Sequence, residues 1–525
     1  MLRIVTRLAP IMADTFPTTV AHLNFRDETV GSQSLYRSMR DLRRATLSIP
    51  NRLRSILRDA DFVQHVVTEQ SPEGSKLPLI ANERCGSWYI PPDRKAGSAY
   101  FKSTDGHFGQ WDFSLRRLNL QVLSIVGEYG GAVIVDSTRR GKSMPDAFAK
   151  TVPIWVVVMN ILLFPDVLES HTFQRPPEPY GLGDSEVSQI EKRLDGFVQA
   201  LKSLNLDLEG LRQELGRPMK LSWRVNDSTT SNRALGHDSR SKVRLENYHP
   251  VILCSASRRV LGAEMSEAAY IQGAGDDSEG WSRGLTPTLF WQHKDALLNT
   301  PESELENLIQ VLIADARKDR KGTVAVQIAP TSNLYIAKAS IDDLIVPTSP
   351  TLGANATPTE HQWGNRPGHK VVKKFDMVIS CSKSGVSHIG GGAIDLACRT
   401  GKLGSRDLRD RLGPVQDFVK LRLKRDPTAS ILITCETGRD LCVGVALMLL
   451  CLFYDDEGNV TLRPDLRMFS KIDSNGDHVW SSVIETIDKS FIRRRLAWIV
   501  SSHSDANPSR TTLQSINGFL MERPS

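Results

Sequence analysis

The run Gly131-Ala132-Val133-Ile134-Val135-Asp136-Ser137-Thr138-Arg139-Arg140-Gly141-Lys142-Ser143 joins an apolar stretch to a small, basic, glycine-containing loop. Such a loop offers backbone N–H groups, hydroxyls and cations to phosphate oxygens. Its tail imitates a Walker A loop, but the first required glycine would fall at Asp136, so an ATPase is excluded on spacing. An acid at the strand end followed by Ser-Thr and Gly suits a phosphoribosyl pyrophosphate donor. Asp136 would sit by the ribose or a metal, Ser137, Thr138 and Gly141 by the 5-phosphate, and Arg139, Arg140 and Lys142 by the pyrophosphate. An ordinary turn capped by Asp136 or Ser137 carries the same letters.

A second loop of this kind follows Ser430 to Thr434, where Cys435-Glu436-Thr437-Gly438-Arg439-Asp440 leads into an apolar helix, Val443 to Cys451. Strand, Cys, Gly and helix are the layout of a cysteine-dependent phosphatase. That chemistry needs an Arg six residues after the Cys, and position 441 is Leu; Thr434 stands where a His is usual. The helix N-terminus would still lower the thiol pKa and attract an anion. The expectation is a dual-specificity-phosphatase-like domain without phosphatase activity, its loop binding substrate through Cys435 to Asp440, with Cys381 to Gly385 as a neighbouring loop.

Two clusters add candidates. Ala81 to Tyr89 and Phe101 to His107 mix aromatics, cations and hydroxyls as an RNA-facing surface would, and Asp105 and His107 are candidate bases. Asp276, Asp277 and Glu279 could hold a divalent ion, Mg²⁺ being the expected one. Singly, each cluster is also what a turn or a packed aromatic looks like.

The elements that must position these residues need more than one core, because 525 residues exceed what a single core organises. Residues 346–370 are rich in Pro, Thr, Gly and Asn without an apolar period, and read as a linker. The expected architecture is α/β: a large mixed N-terminal catalytic domain over 13–345, holding strands at Gly131 to Val135, Pro250 to Cys254 and Thr323 to Ile328, then a smaller α/β domain over 371–525. Val187, Ile190, Leu194, Phe197, Leu201, Leu204, Leu208, Leu211 and Leu215 step by three and four without a break, which predicts one long amphipathic helix packed on its own domain rather than a coiled coil. Near the end, Ile484, Ile487, Phe491, Ile492, Leu496 and Ile499 predict a buried stripe that leaves some of Arg493, Arg494 and Arg495 outward for an anionic partner, together with Arg439 and Lys383.

A net charge of +6 favours anionic partners, and Arg37 to Arg58 carries seven arginines against Asp41 alone. Arg37, Arg40 and Arg44 share a helical face suited to phosphates or simply to water. Seven cysteines without a CxxC pair indicate a reducing, cytoplasmic setting. The start, MLRIVTRLAPIM, resembles a transit peptide slightly, but Asp14 follows, and an upstream start before Met12 is the simpler reading. The apolar runs Ile154 to Phe164 and Val443 to Phe453 are too short to span a bilayer, so no membrane role is expected.

The strings NERCGSWY (Asn82 to Tyr89), YFKSTDGH (Tyr100 to His107), SLRRLN (Ser114 to Asn119), VDSTRRGKSMPDA (Val135 to Ala147), GLTPTLFW (Gly284 to Trp291) and NPSRTTLQSIN (Asn507 to Asn517) resemble the initiator tRNA phosphoribosyl-transferases of fungi and plants. The likeness runs in order from near residue 20 to the C-terminus and includes the phosphatase-like domain. It implies transfer of 5-phosphoribosyl from phosphoribosyl pyrophosphate to the 2′-hydroxyl of the adenosine at nucleotide 64 of initiator methionine tRNA, which would keep that tRNA from elongation. The partner so implied is initiator tRNA, not DNA. The family commonly carries a His after the paired Asp; this chain has Ser278. Two rival functions are a phosphatase acting through Cys435 and a non-catalytic tRNA-binding factor.

Overall fold

A computed structural model describes residues 47–71, 76–102, 111–226, 247–260, 270–318, 325–339, 375–382, 392–399, 401–461, 467–472, 478–483 and 487–521. The first sheet contains β1 (Leu79–Asn82), β2 (Lys95–Ala99), β3 (Ala132–Asp136), β4 (Met219–Val225) and β5 (His249–Ser255) in the order β2-β1-β3-β5-β4. Every pairing in it is parallel. A parallel sheet needs cover on both faces, and the alternation in β3 supplies it. Ala132 and Ile134 face the helices Leu120–Tyr129 and Val152–Leu163, while Val133 and Val135 face Ile49–Gln70 and the helices between Pro287 and Lys318.

The helix Ile49–Gln70 starts after Ser48 with Pro50 in its first turn, where a missing N–H costs nothing. Leu53, Ile56, Ala60, Val63 and Val67 bury one face. Arg52 does not point to solvent as a phosphate-binding row would require. It donates to the Ala274 carbonyl at 3.0 Å and lies 5.3 Å from the Trp281 ring centre, which fixes the loop at 273–277. Arg37, Arg40 and Arg44 lie outside the described residues.

The predicted long helix is two. Asp184–Lys202 and Leu208–Leu215 are separated where Asn205 takes a left-handed φ of 53° and Asp207 caps the second helix by accepting from the Gly210 amide at 2.9 Å. Both pack on their own domain, with Ile190, Leu194, Leu201, Leu204 and Leu215 buried.

The second sheet is β6 (Val326–Gln327), β7 (Leu334–Lys338), β8 (Met377–Ser380), β9 (Gly392–Asp395) and β10 (Ile431–Cys435), ordered β6-β7-β10-β8-β9. This corrects the expected domain limit. The sequence places residues 326–338 in the larger domain, yet β7 pairs in parallel with β10 over its whole length, Leu334 to Lys338 against Ile431 to Cys435. The helix Leu441–Phe453 is buried on every side, as its uninterrupted apolar sequence demands. It is enclosed by Gly401–Arg425, Lys489–Ser502 and Arg510–Met521. Among the described residues no helix is long and apolar enough to cross a membrane.

Arg495 departs from the expected outward set. Only 1 % of it is exposed; it pairs with Asp456 at 2.8 Å, donates to the Tyr454 carbonyl at 3.2 Å and lies 4.1 Å from the Trp498 ring centre. Arg493 is exposed and Arg494 partly so. Ile484 and Lys383 lie outside the described residues.

Candidate functional site

The strand order reverses between β1 and β3: the chain runs from β1 outward to β2, then returns past β1 to β3. Ligands of open parallel sheets bind at such a reversal, beyond the carboxyl ends of the strands. Asn82 ends β1 and Asp136 ends β3, so the sequence's main acidic candidate stands at that point.

Asp136 is fully buried, and burial pushes its carboxyl pKa up while Arg84, Cys85, Asn82 and the Ser137 amide pull it down. Its Oδ1 receives Arg84 Nη2 at 3.2 Å, the Cys85 thiol at 3.1 Å and the Ser137 N–H at 2.7 Å; its Oδ2 receives Asn82 Nδ2 at 2.8 Å. Arg84 also donates to the Ser137 carbonyl and, through Nη1, to Asp276 Oδ2 at 2.9 Å. Burial alone would lower its pKa, but Cys85, Asp136 and Asp276 hold the guanidinium charged. One cation therefore joins the ends of β1 and β3 to the loop at 273–277. Sequence reasoning saw Arg84 as part of an RNA-facing surface and missed this role.

The loop after Asp136 divides into a buried base and an exposed rim. Ser137 and Thr138 are buried; the Ser137 hydroxyl accepts from Tyr89 at 3.0 Å, and the Thr138 amide donates to Ser257 Oγ at 3.1 Å. Arg139, Arg140 and Gly141 are exposed. Gly141 has a φ of 83°, a conformation that favours glycine, and Lys142 pairs with Asp146 at 3.1 Å. The loop is braced by Gln272, which donates to the Lys142 carbonyl at 2.6 Å. It also rests on Gly273, where a Cβ would come within 2.8 Å of the Thr138 oxygen.

Asp276, Asp277 and Glu279 diverge. Asp276 is buried against Arg84, its Oδ1 without a hydrogen-bond partner, whereas Asp277 and Glu279 are exposed. Among the described residues no group of three His, Cys, Asp or Glu side chains gathers as a metal site. The residues present do not fit the expected Mg²⁺ set, because the carboxylate that turns inward is held by a guanidinium. Asp105 and His107 lie outside the described residues.

In the second sheet Cys435 ends β10, and its thiol lies 3.1 Å from the Cys442 sulfur and 3.6 Å from Thr437 Oγ1. The Cys442 thiol, against the opposing effect of burial, holds the Cys435 pKa well below the usual thiol range, helped by the amides of Cys442 and Asp440. Gly438 has a φ of 69°, while Glu436, Thr437 and Arg439 are exposed at the rim. Asp440 accepts from the Ser509 amide at 2.8 Å and the Thr512 hydroxyl at 2.6 Å. Leu441 is buried where a phosphatase would place its phosphate-gripping arginine.

Fold and site thus define a two-unit α/β protein, with a basic, glycine-containing loop at the reversal of a parallel sheet and a phosphatase-like second unit. Residues 42–314 match the family model described as the Rit1 N-terminal domain, and 393–520 match the Rit1 DUSP-like domain. An uncharacterised protein of Schizosaccharomyces pombe is 33 % identical over 478 residues, 90 % of this chain and 94 % of that one. The tRNA A64-2′-O-ribosylphosphate transferase of Saccharomyces cerevisiae is 30 % identical over 544 aligned positions, 94 % of this chain and 97 % of that one. No solved structure matches. The chain belongs to the Rit1 family.

Proposed function

We propose that this protein transfers 5-phosphoribosyl from phosphoribosyl pyrophosphate to the 2′-hydroxyl of the adenosine at nucleotide 64 of initiator methionine tRNA, in the cytoplasm. The observation that carries the reading is Asp136, buried at the strand reversal and followed by the exposed rim Arg139-Arg140-Gly141. The named yeast relative, aligned over nearly the whole chain, supplies the acceptor class.

In the reaction the bond from ribose C1 to pyrophosphate breaks and a bond from C1 to the 2′-oxygen forms. The hydroxyl proton goes to a base and the pyrophosphate leaves as an anion. Asp136 faces the ribose, where a carboxylate favours the positive charge that develops as the leaving group departs. The amides and side chains of Arg139, Arg140 and Gly141 receive the phosphates, with Lys142 nearby and Ser137 and Thr138 shaping the floor. Arg84 opposes the upward push of burial on the Asp136 carboxyl, which remains the larger effect, and fixes its direction. Asp105 and His107 are the proposed bases. Modification at this position would keep the initiator from elongation.

Label transferred from phosphoribosyl pyrophosphate to initiator but not elongator methionine tRNA, and mapped to that adenosine, is the expected result. Absence of transfer to either would leave a tRNA-binding protein in its place. A second reading, hydrolysis through the low-pKa thiol of Cys435, is disfavoured by Leu441 and by the Cys442 sulfur in contact with that thiol. Release of phosphate from an aryl phosphate, lost in Cys435→Ser, would restore it.

A further inference from the structure

The two units meet where β2 ends. The Tyr100 amide donates to Asn119 Oδ1 at 2.8 Å, and the Tyr100 hydroxyl crosses to the second unit, donating to Asp505 Oδ1 at 3.3 Å. Asp505 also receives Arg439 Nη2 at 3.2 Å, from the loop that begins at Cys435. Arg116 and Arg117 lie just before Asn119, whose side chain donates to the Arg117 carbonyl at 3.1 Å. On the other side, Ser509 is bound to Asp440 and Arg510 begins the last helix. Four arginines drawn from both units thus converge on one junction.

The acids there do not balance them. Asp505 is shared between Tyr100 and Arg439, and Asp440 holds Ser509 and Thr512. Among the described residues Arg116, Arg117 and Arg510 form no ion pair, and Nε of Arg117 is buried without a partner. Burial and the charge of Arg510 lower the Arg116 pKa against the smaller opposing pull of Asp440, and burial with Arg116 beside it brings Arg117 down to about 10 against that of Tyr100; two acids, Asp440 and Asp505, thus face four arginines. Arg116 and Arg117 are partly buried while Arg439 and Arg510 are exposed, and gathering like charges around the partly buried pair is unfavourable unless an anion completes it.

We propose that Arg116, Arg117 and Arg510, with Arg439 beside them, clamp a backbone phosphate of the acceptor RNA between the two units. Planar guanidinium forks suit phosphate oxygens, and several forks can share one phosphate. The placement also suits the reaction. Asn82 donates both to the Phe101 carbonyl at 3.0 Å and to Asp136 at 2.8 Å, so the junction beside Tyr100 lies at the same end of the sheet as the donor loop. A strand held there would bring a neighbouring ribose toward Asp136. The proposal deepens the transferase reading, since it takes RNA as the acceptor.

The test uses the full chain and an initiator tRNA transcript without donor, with affinity followed by fluorescence anisotropy across about 50 to 200 mM salt. Arg116→Ala with Arg510→Ala should weaken binding about tenfold and lower the slope of log affinity against log salt by about one, as expected for one lost phosphate contact. The double lysine variant, R116K with R510K, should keep the wild-type slope. It serves as the second variant if the alanine protein does not fold. Wild-type affinity and slope in the folded alanine variant, a weaker affinity with unchanged slope, or a lysine variant that loses the slope would each overturn the clamp. Label transfer by the wild type is scored separately, so a chain that loses the salt slope in the variant but never consumes donor would retain the clamp and refute the transferase reading.

Discussion

Asn82 and Asp136 close the space between β1 and β3 with a 2.8 Å hydrogen bond, and the Asn82 side-chain oxygen also receives the Phe101 amide at 2.8 Å. A carboxylate taken wholly out of water thereby keeps a fixed direction, while Arg84 supplies the countercharge. Asp136→Asn preserves the shape and removes the charge. It should lower transfer by about 10²- to 10⁴-fold, the range of a positioned catalytic group. Binding of tRNA in gel shift should stay within about twofold, and loss of that binding would refute the assignment of Asp136 to the donor.

Gly86 follows the Arg84-Cys85 pair, and a Cβ there would stand 2.3 Å from the Val135 carbonyl, the residue before Asp136. Gly86→Ala must push β3 away from the turn. An overpacking cost of about 1–3 kcal/mol is expected in urea denaturation, together with reduced donor turnover. An alanine protein of wild-type stability and turnover would show that the turn adapts freely.

The Cys435 thiol is held low first by the Cys442 thiol, then by backbone amides, in opposition to burial. Thiolate absorbance near 240 nm should therefore titrate well below the ordinary thiol value of about 8.5. Cys442→Ala should move that titration upward. Since the folded pKa is the depressed one, Cys435 contributes stability above the unfolded value, and this is lost as pH falls through the folded one. The melting temperature of wild type relative to Cys435→Ser should accordingly rise from acid toward pH ~9.

Arg495 fills a buried place on the helix Lys489–Ser502, stacked on Trp498 and paired with Asp456. Arg495→Ala should cost about 3 kcal/mol in chemical denaturation of the second unit, toward the low end for a broken buried pair because Asp456 is half exposed. Its effect on tRNA affinity, measured where the variant is still folded, should be small. A pure affinity defect at unchanged stability would return Arg495 to the RNA surface.

A fragment beginning at residue 325 keeps β7 beside β10, whereas one beginning at residue 371 lacks it. The first should give dispersed amide proton resonances and the second should aggregate or remain unfolded, with the edge of β10 exposed. Equal dispersion in both would show that β8 alone suffices as a neighbour.

The loops after Asp136 and Cys435 were legible because strand, polar residue, glycine and helix follow one another locally, and the family strings placed them in one protein. The bond from Arg84 to Asp136 was not legible, since the two residues meet only once β1 and β3 are neighbours. The break at Asn205 and Asp207 had a local signal, a turn residue followed by a helix cap, which the continuing leucine spacing obscured. Assignment of β6 and β7 to the second sheet had none: an apolar run states that it is buried, not in which layer. Arg495 reads as one more surface cation until Trp498 and Asp456 are seen around it.

Because β7 already belongs to the second sheet, the proline- and threonine-rich stretch expected to connect domains connects two strands of the same sheet, β7 and β8, on either side of β10. It is an insertion rather than a tether. Lengthening such a connection costs only about 0.6 kcal/mol for each doubling, and here it leaves the strand order of the second sheet untouched. Its length and composition are thereby uncoupled from the pairing of β7 and β8 with β10.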